Sequence, residues 1–207
     1  MKTNTELRAK FDENGNLVYK KDKEGTEWHE YDNKENLIHS KYLTRSNDTD
    51  EYQEYEYWYE YDENNNKTHY QDSENNESWW QYDEYNNCIH YNDSMGVEIF
   101  RDYNEYNKCI YCKLINFDDT IEEDWFEYDS NLNLTHYKNK KEGDIHEEWR
   151  EYDYQGNCIH FKNNNGEEVK QEFDSCQNRI NYIANNKTIK VLDNEDIVNL
   201  NIEIFVI

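Results

Sequence analysis

Aromatic and apolar residues alternate with charged or amide residues in short runs such as Tyr57-Trp58-Tyr59-Glu60-Tyr61 and Glu148-Trp149-Arg150-Glu151-Tyr152. Residues two apart on an extended chain share a face, so each run suits a half-buried pleated strand. The runs end on an aromatic-Asp pair that opens Asp-x-x-Gly-Asn or a close variant: Asp12 to Asn16, Asp153 to Asn157, and Asp62 to Asn66 with Asn in the glycine place. An aspartate accepts bonds from the backbone N–H groups just ahead of it, and Gly or Asn tolerates the positive φ that closes a short hairpin. A second short run follows, as in residues 36 to 39 (Asn-Leu-Ile-His) or 157 to 160 (Asn-Cys-Ile-His), and a polar link leads onward. The pattern predicts strand, turn, strand.

That unit recurs. Residues 149–161 read WREYDYQGNCIHF, and residues 79–91 read WWQYDEYNNCIHY. Aromatic-Asp or equivalent pairs stand at Phe11-Asp12, Tyr31-Asp32, Tyr61-Asp62, Tyr82-Asp83, Tyr103-Asn104, Tyr128-Asp129, Tyr152-Asp153 and Phe173-Asp174, spaced 20, 30, 21, 21, 25, 24 and 21 residues apart. A fixed period in this range signals a repeat architecture. The predicted fold is all-β, an elongated antiparallel meander or coiled sheet of about eight hairpin repeats of about 21 residues, over residues 11–183. Residues 1–10 are assigned to an N-terminal cap. Residues 184–207, with alternating Ile, Leu and Val about Asp193 to Asp196, are assigned to a C-terminal β cap.

Strict alternation sorts the repeats into columns. On the second strand, Val18, Ile38, Ile89, Ile110 and Ile159 align with the later Ser40, Tyr70, Tyr91, Cys112 and Phe161 on one face. The opposite face takes Leu17, Leu37, Cys88, Cys109, Leu134 and Cys158, with His39, His90, His136 and His160 two residues on. On the first strand, Trp28, Trp58, Trp79, Phe100, Trp125 and Trp149 share a side with Glu30, Glu60, Gln81, Asp102, Glu127 and Glu151.

Composition sharpens the picture. Lys plus Arg number 22 against 47 Asp plus Glu, a net charge of -25, and the chain has no proline, six glycines and 20 tyrosines. Such charge alone would suggest disorder, but 16% aromatic content argues for a folded chain. An acidic body repels nucleic acid and anionic membrane and attracts basic partners. The N-terminal MKTNTELRAKF lacks an apolar stretch and no run approaches membrane-spanning length, which predicts a cytoplasmic protein. Cys88, Cys109, Cys112, Cys158 and Cys176 lack the paired spacing of a disulfide framework, so reduced thiols are expected.

The recurring motif, clearest at Tyr152-Asp153-Tyr154-Gln155-Gly156-Asn157 and Phe11 to Asn16, resembles the YD repeat of RHS-type bacterial proteins. The resemblance spans roughly residues 10 to 183 and implies hairpins joined into a coiled β strip. RHS proteins are large shells around a toxin domain, which eight short units could not enclose, so the resemblance implies fold and little about activity.

Cys88/His90 and Cys158/His160 offer zinc-type ligands. Leucine fills the same column elsewhere, and free Cys packs as a small hydrophobe, so no metal or other cofactor is expected. The carboxylate column could hold an acid and a base, but a ladder of like carboxylates gives no reason for their pKa values to separate. No phosphate-cradling loop, nucleophile elbow or dinucleotide fingerprint is present. The chain is expected to be non-enzymatic.

What remains is surface. Carboxylates at equivalent repeat positions would form a regular acidic ridge of Glu30, Glu60, Asp102, Glu127 and Glu151. Three insertions, residues 41–54, 113–123 and 138–147, fall in the links opposite the Tyr-Asp turns, where repeat proteins place binding loops. They add Asp48, Asp50, Glu51, Asp118, Asp119, Glu122 and Glu123 to the expected partner-binding set. The ridge could occupy a groove that normally tracks a phosphate backbone. The expected function is an inhibitor or immunity-type protein, of toxin-immunity or phage anti-nuclease kind, that blocks a basic partner such as a nuclease or another nucleic-acid-binding protein. It would bind neither nucleic acid nor membrane directly. Two other classes fit the pattern: a carbohydrate-binding module that stacks sugars on the Trp column, and a scaffold repeat protein.

Overall fold

The computed structural model describes residues 8–45, 51–174, 176, 178–184 and 187–189. The chain divides into two units, residues 1–107 with 113–121, and residues 108–112 with 122–207. Each is all-β and antiparallel.

In the first unit the strands are β1 (Arg8–Phe11), β2 (Leu17–Lys21), β3 (Gly25–Tyr31), β4 (Leu37–Arg45), β5 (Tyr52–Tyr61), β6 (Lys67–Asp72), β7 (Glu77–Tyr82), β8 (Cys88–Asp93) and β9 (Glu98–Tyr103). Each pairs antiparallel with the next, so the unit is a plain meander. β10 (Cys109–Ile115) has residues in both units. In the second unit, β11 (Ile121–Tyr128), β12 (Leu134–Lys141), β13 (Asp144–Tyr152), β14 (Cys158–Asn163), β15 (Glu168–Phe173), β16 (Arg179–Ala184) and β17 (Lys187–Ile189) repeat the scheme. Of the proposed C-terminal cap, β17 pairs with β16, and the segment from residue 190 lies outside the described residues.

Local chemistry builds every Tyr-Asp corner alike. In the corner from Asp62 to Asn66, Asp62 Oδ1 accepts from the N–H groups of Asn64 and Asn66, at 2.9 and 2.8 Å. Its Oδ2 accepts from the Asn66 side-chain amide at 2.9 Å. Asn65, in the glycine place, takes φ 67°. The same pattern recurs at Asp12, Asp32, Asp83, Asp129, Asp153 and Asp174. The closing Asn holds these carboxyls below the usual Asp range. Link turns at the other end reuse the device: Asp72 bonds the Asn76 amide, and Asp93 caps the N–H groups of Met95 and Val97.

Neighbouring repeats are stapled through the motif tyrosine. The hydroxyls of Tyr31, Tyr61, Tyr82, Tyr103, Tyr128 and Tyr152 donate to the carbonyls of Leu17, Leu37, Lys67, Cys88, Cys109 and Leu134, over 2.9 to 3.2 Å. In the first unit an amide ladder adds a second staple. Asn36, Asn66 and Asn87 donate through Nδ2 to Oδ1 of Asn65, Asn86 and Asn107 in the next corner, at 3.0, 2.8 and 2.9 Å.

Two readings from strict alternation are corrected here. A register shift sits at each Tyr-Asp corner: Gln81 pairs with His90, but Tyr82 pairs with Cys88, skipping Ile89. The extra residue of such a bulge breaks the alternation. Cys88 Sγ therefore meets Arg101 Nη1 at 3.7 Å and donates to the His90 backbone carbonyl at 3.5 Å, and does not share the face of the His90 imidazole. Ile159 instead lines a hollow with Glu151, His160, Lys170 and Glu172. The insertions are also not simply binding loops. They lengthen β4, β5, β11, β12 and β13 to 9, 10, 8, 8 and 9 residues, since added residues that keep alternating extend a ladder at no cost in unpaired backbone. The link within 138–147 closes as a tight turn through Glu142 and Gly143, both at positive φ.

Among the described residues no apolar side chain is fully buried, and only Thr26 and Ser40 are buried. Stability therefore rests on half-buried cross-strand pairs and staples, not on a separate core. Tyr42 and Tyr57, Tyr59 and Tyr70, and Trp80 and Tyr91 make such pairs on one face of the first unit, and Phe126 and Tyr137 make one in the second.

Candidate partner-binding face

The other face carries the carboxylates of the predicted ridge. Register places His39 between Glu30 on β3 and Trp58 on β5. The imidazole stacks on the indole, with centroids 5.3 Å apart and planes 10° apart. His39 Nδ1 lies 3.7 Å from Glu30, and Nε2 lies 3.1 Å from Glu56. Further copies place His69 on Trp79 with Glu60 and Glu77 beside it, and His90 on Phe100 with Glu98 beside it. In the second unit His136 stacks on Trp149 beside Glu127, and His160 lies between Glu151 and Glu168.

Four of the ridge residues point their carboxylates into solvent. Glu30, Glu60, Glu127 and Glu151 side chains are 68, 73, 72 and 70% exposed, and Asp102 is exposed too. The carboxylates one pair further from the corner differ. Glu56 takes the Lys41 ammonium at 2.8 Å, which holds its carboxyl below the usual range. Lys41 also reaches Glu54 at 2.7 Å.

The residues expected in the inserted links separate into groups. Asp48 and Asp50 lie outside the described residues, and Glu51 is exposed just before β5. Asp118 and Asp119 are exposed in the turn that opens β11. Asp118 Oδ1 accepts from the Thr120 N–H at 3.1 Å, and Asp119 sits at φ 63°. Glu122 and Glu123 are strand residues of β11, half-buried against β12. Glu122 lies 3.2 Å from Lys141 and accepts from Asn139, whose bond is the main cause of its lowered pKa. Glu123 lies 3.7 Å from Lys140 and accepts from the Tyr111 hydroxyl. The structure thus brings the ridge carboxylates to equivalent, open positions within each unit and gives Glu122 and Glu123 structural partners.

Sequence reasoning missed the imidazoles as members of this face, and missed Gln71 and the lysines opposite the tryptophans. The signal was available in the Cys-x-His and Asn-Leu-x-His strings, but only cross-strand register shows that His39, His69 and His136 meet the next repeat's Trp and His90 meets Phe100.

Among the described residues, each unit is therefore an open antiparallel array of β-hairpin repeats without an enclosed core. The fold is RHS-like. Similar solved structures are a TcdB2-TccC3-Cdc42 crystal structure (TM-score 0.61), a TcdB2-TccC3-TEV crystal structure (0.62) and the Photorhabdus luminescens Tc holotoxin pore (0.59). Each shares 15% identity, and the match covers 85% of this chain but 10% of the other. No protein-family model and no curated protein sequence matches the chain.

Proposed function

We propose that the chain is a non-enzymatic, acidic YD-repeat protein that binds a basic nucleic-acid-processing protein and blocks it, as an inhibitor or immunity-type protein of the cytoplasm. The observation that carries this reading is the set of open carboxylates, Glu30, Glu60, Glu127 and Glu151, at equivalent repeat positions beside exposed Trp28 and Trp58. Regular negative charge interleaved with aromatic surface suits a partner whose own groove is lined with lysine and arginine. Net charge of -25 adds long-range attraction that falls with salt. The YD assignment rests on the Asp-to-Asn corner and the tyrosine staple, which together account for both letters of the motif.

The test is affinity capture from cell extract at low and high salt, with wild type and with Glu30→Lys/Glu60→Lys and Glu127→Lys/Glu151→Lys variants. A basic nucleic-acid-binding protein retained at low salt by wild type and lost by the variants is the expected result. Capture unaffected by both double reversals would remove the ridge as the binding surface. Sugar-dependent elution of captured material would favour the carbohydrate reading.

A further inference from the structure

Resting on the reading that the partner is basic, we infer that the hollow beside Trp58 is a docking site for one lysine or arginine head of that partner. The evidence is internal to the repeats. Every tryptophan of the column has a cross-strand neighbour on the strand that follows it. For Trp28 that neighbour is Lys41, which turns away to Glu54 and Glu56; for Trp125 it is Lys138, and for Trp149 it is Lys162. At Trp125 and Trp149 the chain lays its own ammonium over the indole, at 5.5 and 5.1 Å from the ring centroid. Attraction of a cation to the indole face explains the placement.

At Trp58 the same position is held by Gln71, an uncharged amide that turns to Glu77 at 3.1 Å. One face of the Trp58 ring is taken by His39, and the indole is 38% exposed. Beyond it opens a hollow of about 380 Å³, lined by Trp58, Gln71, Glu54, Glu56, Asp72 and other polar groups. Among the described residues, Lys41 is the lysine or arginine that meets these three carboxylates, bonding both Glu54 and Glu56, and His39 Nε2 lies 3.1 Å from Glu56. Asp72 is committed to its own turn, and the Tyr70 hydroxyl donates to it. The site therefore keeps an aromatic face and excess negative charge where two sister repeats carry a built-in cation. At Trp79 the corresponding residue is the amide Asn92, but that indole is half-buried. Of the two exposed tryptophans, Trp28 faces Lys41 and Trp58 faces an uncharged amide, so the Trp58 hollow is the opening for a cation from outside.

The experiment uses the full chain and a fluorescein-labelled hexalysine peptide, with hexa-arginine and cellohexaose as comparisons. Anisotropy gives affinity at low salt, and the indole N–H resonance of Trp58, assigned with Trp58→Phe, reports location. The key variant is Gln71→Lys, which copies the Lys162 arrangement and should fill the hollow while leaving the fold intact by circular dichroism. Wild type is expected to bind hexalysine with a shift of the Trp58 resonance, and Gln71→Lys to bind about three- to tenfold more weakly. Binding by wild type that Gln71→Lys leaves unchanged, with the Trp58 resonance unmoved, overturns the site but leaves the acidic-ridge reading standing. Absence of binding to either basic peptide at low salt overturns both. A Trp58 shift with cellohexaose and none with the peptides overturns the site in favour of a sugar subsite.

Discussion

The tyrosine staple offers the most direct test of how the array holds together. Replacing Tyr82 by Phe removes one hydroxyl and leaves the Lys67 carbonyl without the bond it accepts at 3.0 Å. A neutral hydrogen bond of this kind contributes about 1 kcal/mol net, with a further cost if the acceptor stays dry. For a chain of this length that loss lowers the melting temperature by about 2–4 °C. Tyr31 and Tyr61 make the same bond, and successive repeats stand roughly 10 Å apart, two strand spacings, so their effects should add. The triple variant Tyr31→Phe/Tyr61→Phe/Tyr82→Phe should lose about 3 kcal/mol in urea unfolding monitored by circular dichroism, with an unchanged m-value. The chain supplies its own control at Phe173, where the aromatic of the motif lacks a hydroxyl. There Gln171 Nε2 donates to the Cys158 carbonyl at 2.7 Å, taking the acceptor the tyrosine would use. Phe173→Tyr should therefore bring no gain, whereas Gln171→Ala should destabilise and Phe173→Tyr should rescue it. A triple variant within about 0.5 kcal/mol of wild type would refute the idea that these hydroxyls join the repeats.

The remaining predictions concern pH and the amide ladder. Burial is the main cause that raises the phenols of Tyr31, Tyr61, Tyr82, Tyr128 and Tyr152, and burial with the Asp72 charge takes Tyr70 up to about 12. A folded value above the unfolded one means stability is complete below about pH 10 and is lost as pH rises through the folded values. The corner aspartates are lowered by their closing Asn bonds, so their contribution is present above about pH 4 and disappears as pH falls through the folded values. From these groups, urea midpoints should fall on the acid side below about pH 4 and on the alkaline side above about pH 10. Phenolate absorbance from these six tyrosines should appear late on the alkaline side, and their ordinary titration without unfolding would contradict the burial argument. In the second unit, Gly156 takes φ 85° in the corner after Asn133, and a Cβ added there would lie 3.8 Å from Asn133 Oδ1. Gly156→Asn should extend the ladder and raise stability by about 0.5 kcal/mol, while Gly156→Ala should lower it by about 1 kcal/mol, both read from urea midpoints.

Much of the hairpin scheme was legible because its causes lie close together in the chain. Asp62 reaches N–H groups two and four residues ahead, and Asn65 needs only its own tolerance of positive φ. The ridge positions Glu30, Glu60, Glu127 and Glu151 were legible for the same reason, as alternation alone places them beside Trp28, Trp58, Trp125 and Trp149. The two column errors come from one cause. A bulge adds a residue at each corner, and the string Asn-Cys-Ile-His carries no sign of which of its apolar members will be the extra one.

The sequence by itself determined the repeat, the turn chemistry, the strand character and the sign of the charge, since each follows from residues within one unit. Tertiary structure alone decided how the strands meet, within a repeat and between repeats: that Tyr82 reaches the Lys67 carbonyl, that His39 stacks on Trp58, that Glu122 and Glu123 belong to ion pairs, and that Trp58 faces Gln71 where Trp149 faces Lys162. Those contacts join residues about 13 to 19 positions apart or farther, and register across a bulge and a turn sets them. A shift of one residue would exchange the faces of every pair, which is why spacing along the chain could name the columns but not the partners across them.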